Sequence, residues 1–176
     1  IEPDAPASAA SPVLDKGGTP PSDAILRGLI THKLLESLPG LPRESRRLVA
    51  SRYVNKAAAD WTETRKATVV ADVLHVLEDV RFQSAFAAVS RAEVSVMGQV
   101  KVRGETRMVS GKIDRIAVEE SRVLLVDFKT DYTPAHSAAD VPDSYLTQMA
   151  LYRAILQPLY PGKAVECALL YTGGAR

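Results

Sequence analysis

The 176-residue chain sets 22 Lys and Arg against 21 Asp and Glu, so its net charge of +1 gives it no overall pull on a polyanion, and any nucleic-acid surface must be a local patch. At 46% apolar and 24% charged it has the composition of a globular domain with a core. Its one cysteine, Cys167, excludes an intrachain disulfide framework and a cysteine-ligated zinc or iron–sulfur site and fits a reducing compartment, and no apolar run approaches the ~20 residues of a membrane span.

Residues 1–22, IEPDAPASAASPVLDKGGTPPS, are rich in Pro, Ala, Ser and Gly and read as a flexible linker or arm. The domain is expected over 23–176. A chain that opens on Ile and stops at Thr172-Gly173-Gly174-Ala175-Arg176 is expected to be an excised piece of a longer protein. Ser22 or Asp23 can cap a first helix running through Leu38, with Ile25, Leu29, Leu34, Leu35 and Leu38 on its apolar side. Pro39-Gly40-Leu41-Pro42 stops it. A second helix is expected over 43–59, basic in its first half, and a third from about Thr62 to Ala87, with a break allowed.

The period then changes. Glu93 to Val100 alternates as a half-buried strand does, Val109 to Val118 gives a second strand, and Arg122 to Lys129 a third, with Glu119-Glu120-Ser121 as a tight polar turn. Residues 143–157 return to helical period, with Asp143 expected as the cap. Pro161-Gly162 breaks that helix, and Val165 to Tyr171 is a last strand. Helices, antiparallel strands, helix, strand: the order predicts an α/β layer arrangement with a mixed central sheet flanked by helices and a helical N-terminal segment. There is no GxxxxGK phosphate loop.

The chemistry gathers on the hairpin of the second and third strands. Centred on Glu120 and Ser121, it would set Asp114 opposite Asp127 and Lys112 opposite Lys129, and directly opposed residues share a face with Cβ atoms about 4.5–5.5 Å apart. Like charges so placed destabilise a purely structural sheet. A divalent cation between them reverses that argument, because Mg²⁺ often binds through one or two carboxylates plus waters and phosphate. A metal there would lower the pKa of a bound water and neutralise charge building on a phosphate, with Lys129 alongside to orient or deprotonate the water. The competing reading of Asp127 and Lys129 is an ordinary surface ion pair.

These residues also resemble a known family. Gly111-Lys112-Ile113-Asp114-Arg115, then Asp127-Phe128-Lys129-Thr130, then Gln148 and Tyr152 in YLTQMALY, with His32 upstream in RGLITHKLLE, are similar to the RecB-type nuclease domain of the PD-(D/E)xK superfamily, most of all to the C-terminal nuclease domain of AddA-type helicase–nuclease subunits. The likeness runs over roughly 24–172. It implies a restriction-endonuclease-like core and a metal-dependent deoxyribonuclease, exonuclease in type. His32, Asp114, Asp127 and the Phe128 backbone carbonyl would hold Mg²⁺ or Mn²⁺. Lys129 would be the general base or electrostatic partner. Gln148 and Tyr152, at i and i+4 on one helix face, would complete the catalytic set. Arg115 and Thr130 would be DNA contacts. The substrate implied is single-stranded DNA unwound by a helicase motor in the same parent chain, in double-strand break repair, with an AddB-like partner subunit, in the bacterial cytoplasm and away from membranes. Ile113 stands where the superfamily's name has proline. The cysteines that hold an iron–sulfur cluster in some relatives are missing, so no iron–sulfur cluster is expected. Two rivals stay open: a catalytically silent module that holds DNA or serves in subunit docking, and a phosphatase using one metal and two aspartates.

Overall fold

The computed structural model describes residues 22–130, 135 and 137–172. The expected arm, apart from Ser22, lies outside the described residues, as do 131–134, 136 and 173–176.

Helix α1 spans Asp23–Ser37, and the Ser22 hydroxyl accepts the Ile25 N–H at its start. It buries Ile30, Leu34 and Leu35, whereas Ile25, expected on the apolar side, is exposed in the first turn. A 3₁₀ turn at Leu38–Gly40 ends it. Helix α2 (Arg43–Ala57) buries only Ala50 and Val54. Helix α3 (Glu63–Glu78), capped by Thr62, buries Val69, Val70, Val73, Leu74, Val76 and Leu77. The long third helix expected to Ala87 breaks at Asp79. The Asp79 carboxylate takes the Arg81 N–H and starts a 3₁₀ segment, Val80–Phe86.

Four strands follow: β1 (Ser90–Val102), β2 (Glu105–Val118), β3 (Arg122–Lys129) and β4 (Ala164–Tyr171). They lie in the order β1-β2-β3-β4, antiparallel except for the parallel β3–β4 pair, so the sheet is mixed as expected. Helix α4 (Asp143–Leu156) is the crossover that a parallel pair requires. Its N-cap is Pro142. Asp143 sits inside the first turn and makes no capping bond there, where its charge still favours the helix dipole.

Alternation along β3 builds two cores. Leu124, Val126 and Phe128 pack toward α1 and α3, and Val123 and Leu125 toward Met149, Tyr152 and Leu156 of α4. The β1–β2 ribbon is longer than the alternating segments suggested. Its turn at Arg103-Gly104 has φ of 51° and 87°, the two positive values of a tight hairpin turn. No helix among the described residues is long and apolar enough to cross a membrane.

Candidate active site

The β2–β3 ladder has the expected register, from Val118↔Val123 to Arg115↔Val126, and there it stops. Asp114 and Asp127 are therefore not a directly opposed pair, as the hairpin reading expected. The Asp114 Oδ2 instead accepts the freed Phe128 N–H at 2.7 Å. The physical reason is the repulsion itself: splaying the strands spares two carboxylates a face-to-face contact and gives one of them a backbone donor. Lys112 is not opposite Lys129 either. It pairs with Ser95 of β1, and its ammonium lies 2.8 Å from Glu93.

Pairing with β1 also lapses at Asp114. Every residue from Ser90 to Val102 has a β2 partner except Glu93, which stands at φ 54°. The irregularity shifts the phase of β2. Ile113 and Ile116 both enter the α4-side core, while Asp114 and Arg115 both meet α1. Bulges next to functional sites re-aim side chains in this way.

His32, one turn before the end of α1, places Nδ1 3.3 Å from the Asp114 Oδ1. Burial alone would lower the His32 pKa, but the Asp114 carboxylate outweighs it, helped by Asp127 and Glu93, and the net shift is upward. Phe128, the aromatic between Asp127 and Lys129, holds this corner. Its ring stacks on Phe86 at 6.1 Å and meets His32 edge-on at 5.8 Å. Asp127 is buried, and its pKa is raised by that burial first and by the charge of Asp114 second, against the pull of Lys129 and His32.

Lys129 points to the α4 side. Its ammonium is 2.6 Å from the Asp127 Oδ2, 3.3 Å from the Gln148 Oε1 and 3.7 Å above the Tyr145 ring. From there the donors run one way: Gln148 Nε2 donates to the Tyr152 hydroxyl at 3.4 Å, and that hydroxyl donates to the Lys112 carbonyl at 3.2 Å. Gly111 makes room for it, since a Cβ at that position would stand 2.6 Å from the Tyr152 Cε1. Gln148 and Tyr152 thus share one helix face, and that face looks onto Lys129.

Arg115 departs from its expected role as a phosphate contact. It is 5% exposed, donates to the Leu35 and Glu36 carbonyls at 3.4 and 3.3 Å and to the Ser90 hydroxyl, and lies over the Phe86 ring. Those carbonyls belong to the last turn of α1, which has no helical partners for them, so the buried guanidinium caps the helix. Thr130 is half-buried. Its carbonyl accepts from the Arg27 Nη1 at 2.7 Å, and its hydroxyl lies 3.2 Å from where a Gly28 Cβ would be. The reading of the sequence missed two participants. Arg27, which is buried and also faces Asp72, ties α1 to the end of β3. Tyr145 sits three residues before Gln148, a spacing that puts it on the same helix face.

Oxygen donors with one imidazole suit a hard divalent cation. The Asp127 Oδ2 fits that use, being buried and without a hydrogen bond despite its closeness to Lys129. Among the described residues, however, no three His, Cys, Asp or Glu side chains already converge as a metal cage.

The sequence pattern of the PD-(D/E)XK nuclease superfamily matches residues 13–174. The chain belongs to that superfamily. A shorter segment is similar to an ATP-dependent helicase/nuclease, the AddA-type polypeptide of Clostridioides difficile (strain 630): 31% identity over 70 residues, which is 40% of this chain and 5% of the relative. Among solved structures, the crystal structure of SSO0001 aligns over 81% of this chain and 60% of its own at 16% identity, with a TM-score of 0.34. The assignment rests on the superfamily pattern. The mixed sheet with flanking helices and an N-terminal helical segment is compatible with the superfamily's restriction-endonuclease-like core.

Proposed function

We propose that this superfamily domain hydrolyses phosphodiester bonds of DNA with Mg²⁺ or Mn²⁺, acting as an exonuclease on single strands. The observation that carries the reading is the set at the end of β3. A buried Asp127 oxygen lacks a hydrogen bond, and an ammonium held on three sides is beside it. Asp114 and His32 are adjacent on β2 and α1. Asp114, Asp127, His32 and the Phe128 carbonyl would hold the metal, which when bound supplies Lewis-acid stabilisation of charge on the scissile phosphate. Lys129 orients or deprotonates the attacking water and balances developing negative charge. Gln148 fixes the ammonium through its Oε1, and Tyr152 fixes Gln148. Tyr145 favours the cation over its ring face.

The likeness to a helicase/nuclease supports a role inside a longer protein that feeds unwound DNA to this domain. On that reading a helicase motor occupies the same chain and an AddB-like protein is the partner. Double-strand break repair in the bacterial cytoplasm is the setting. The test is cleavage of an end-labelled single-stranded oligonucleotide with Mg²⁺ or Mn²⁺, compared with EDTA and with Asp127→Asn. Metal-dependent cutting that disappears in the variant is expected. Cutting that survives either EDTA or the substitution refutes the assignment.

A further inference from the structure

β1 and β2 continue together from Ser95↔Lys112 to Val102↔Glu105, well past the point where β2 leaves β3. One face of this ribbon is backed by α4. Val94 and Val96 pack into the α4-side core, and Ile155 lies 3.0 Å from where a Gly98 Cβ would stand. The opposite face carries Met97, Gln99 and Lys101 from β1 and Met108, Ser110 and Lys112 from β2, all exposed. Met97 and Met108 are 71% and 62% exposed, and they are diagonal neighbours, since Met97 pairs with Ser110 and Met108 with Gln99. Two bare thioethers side by side form an apolar spot between two cations. Among the described residues of that face the carboxylate is Glu93, already held by Lys112. From the level of Lys101 to Lys112 the strand covers about 20 Å, and Asp114 is two residues further along.

We propose that this face is the platform along which a single strand of nucleic acid reaches the site, its phosphates on Lys101 and Lys112 and its bases against Met97 and Met108. The direction of travel rests on the nuclease reading, while the platform itself does not. Charge complementarity selects a polyanion. The apolar spot selects unstacked bases, which a duplex keeps inside. A free two-stranded ribbon could enter a major groove. This one has a helix on its back and so offers a surface to lie on, as single-strand platforms do.

The experiment is fluorescence anisotropy of a labelled thymidine homopolymer with the 176-residue chain in EDTA, across a salt series, alongside metal-dependent cleavage. Lys101→Ala is expected to reduce the log–log salt slope by about 0.7, one phosphate contact on a single strand. Met97→Ala with Met108→Ala is expected to weaken binding about tenfold, the order of one lost base contact. Arg52→Ala on α2 serves as the control and should bind as wild type. All these side chains are exposed, so unchanged melting temperatures confirm that the fold is kept. Wild-type affinity in the ribbon variants, loss of binding in Arg52→Ala instead, preference for duplex, or no binding by wild type each overturns the platform, as does a ribbon found to capture protein and no strand. Ribbon-dependent binding without any cutting would sink the nuclease reading and leave the platform standing. Cutting unaffected by the ribbon variants would do the reverse.

Discussion

Gly111→Ala tests the link between β2 and Lys129 at a single atom. The added methyl would stand 2.6 Å from the Tyr152 Cε1 and 2.8 Å from its Cζ, with the hydroxyl nearer still. Ordinary contact begins near 3.4 Å, so the ring must retreat by roughly an ångström or β2 must shift. The Tyr152 bond to the Lys112 carbonyl is already 3.2 Å, and a retreat of that size breaks it. Overpacking costs about 1–3 kcal/mol and a lost buried hydrogen bond about 1 more. At about 2–4 °C per kcal/mol for a domain of this size, the melting temperature should fall by roughly 5–15 °C. Thermal unfolding in EDTA followed by circular dichroism measures it. The decisive comparison repeats Gly111→Ala in a Tyr152→Leu background, where the far end of the ring is gone. The glycine substitution should then cost at least about 1 kcal/mol less, a coupling typical of residues in contact. If the two substitutions add to within about 0.5 kcal/mol, Tyr152 is not what Gly111 makes room for, and the chain from β2 to Lys129 fails with it.

Asp127→Asn should stabilise the metal-free protein at neutral pH. Its folded pKa is raised above the unfolded value, so the ionised form opposes folding. The native state gains stability as pH falls through that raised pKa and gains no more below the unfolded value near ~3.9. The advantage of the asparagine variant in EDTA should therefore shrink as the pH is lowered over that window. A variant that melts below wild type at neutral pH would show that the carboxylate contributes more to the fold than it costs. Arg115→Ala should lower stability by about 2–4 kcal/mol, since it strands the Leu35 and Glu36 carbonyls in a buried site. Its folded fraction should bind DNA as wild type does. Unchanged melting with weakened binding would return Arg115 to the phosphate contact that the sequence suggested.

The sequence was a good guide wherever a period held and a poor one where the period slipped. β3 is an unbroken apolar run ending in Asp127, Phe128 and Lys129, and its bounds and the register of its hairpin emerge as read. The helical spacing of Gln148 and Tyr152 puts both toward Lys129, because i and i+4 share a face whatever the tertiary surroundings. Face assignment on β2 failed for the opposite reason. Alternation counts from one residue to the next, and one irregular step at Glu93 and Asp114 turns two successive side chains to the same side. That step decides that Asp114 meets His32 and that Arg115 turns inward to cap a helix rather than outward to a phosphate. Arg27 was invisible because its partner, the Thr130 carbonyl, is 103 residues away, and a backbone acceptor leaves no mark in the sequence.

The same slip accounts for the site's composition. An unpaired stretch inside a sheet leaves backbone donors to be satisfied, and buried amides rarely go without a partner. At the end of β3 the Phe128 amide finds one in the Asp114 carboxylate, which binds Asp114 to the very strand that carries Asp127 and Lys129. The carboxylate is thereby fixed by two unlike neighbours, an amide on one oxygen and an imidazole on the other. An asparagine at 114 could still accept the amide but would lose the charge that raises the His32 pKa. The local geometry therefore explains why an acceptor is needed at 114, while the choice of a charged one points beyond the fold, to whatever cation the pair of aspartates was arranged to meet.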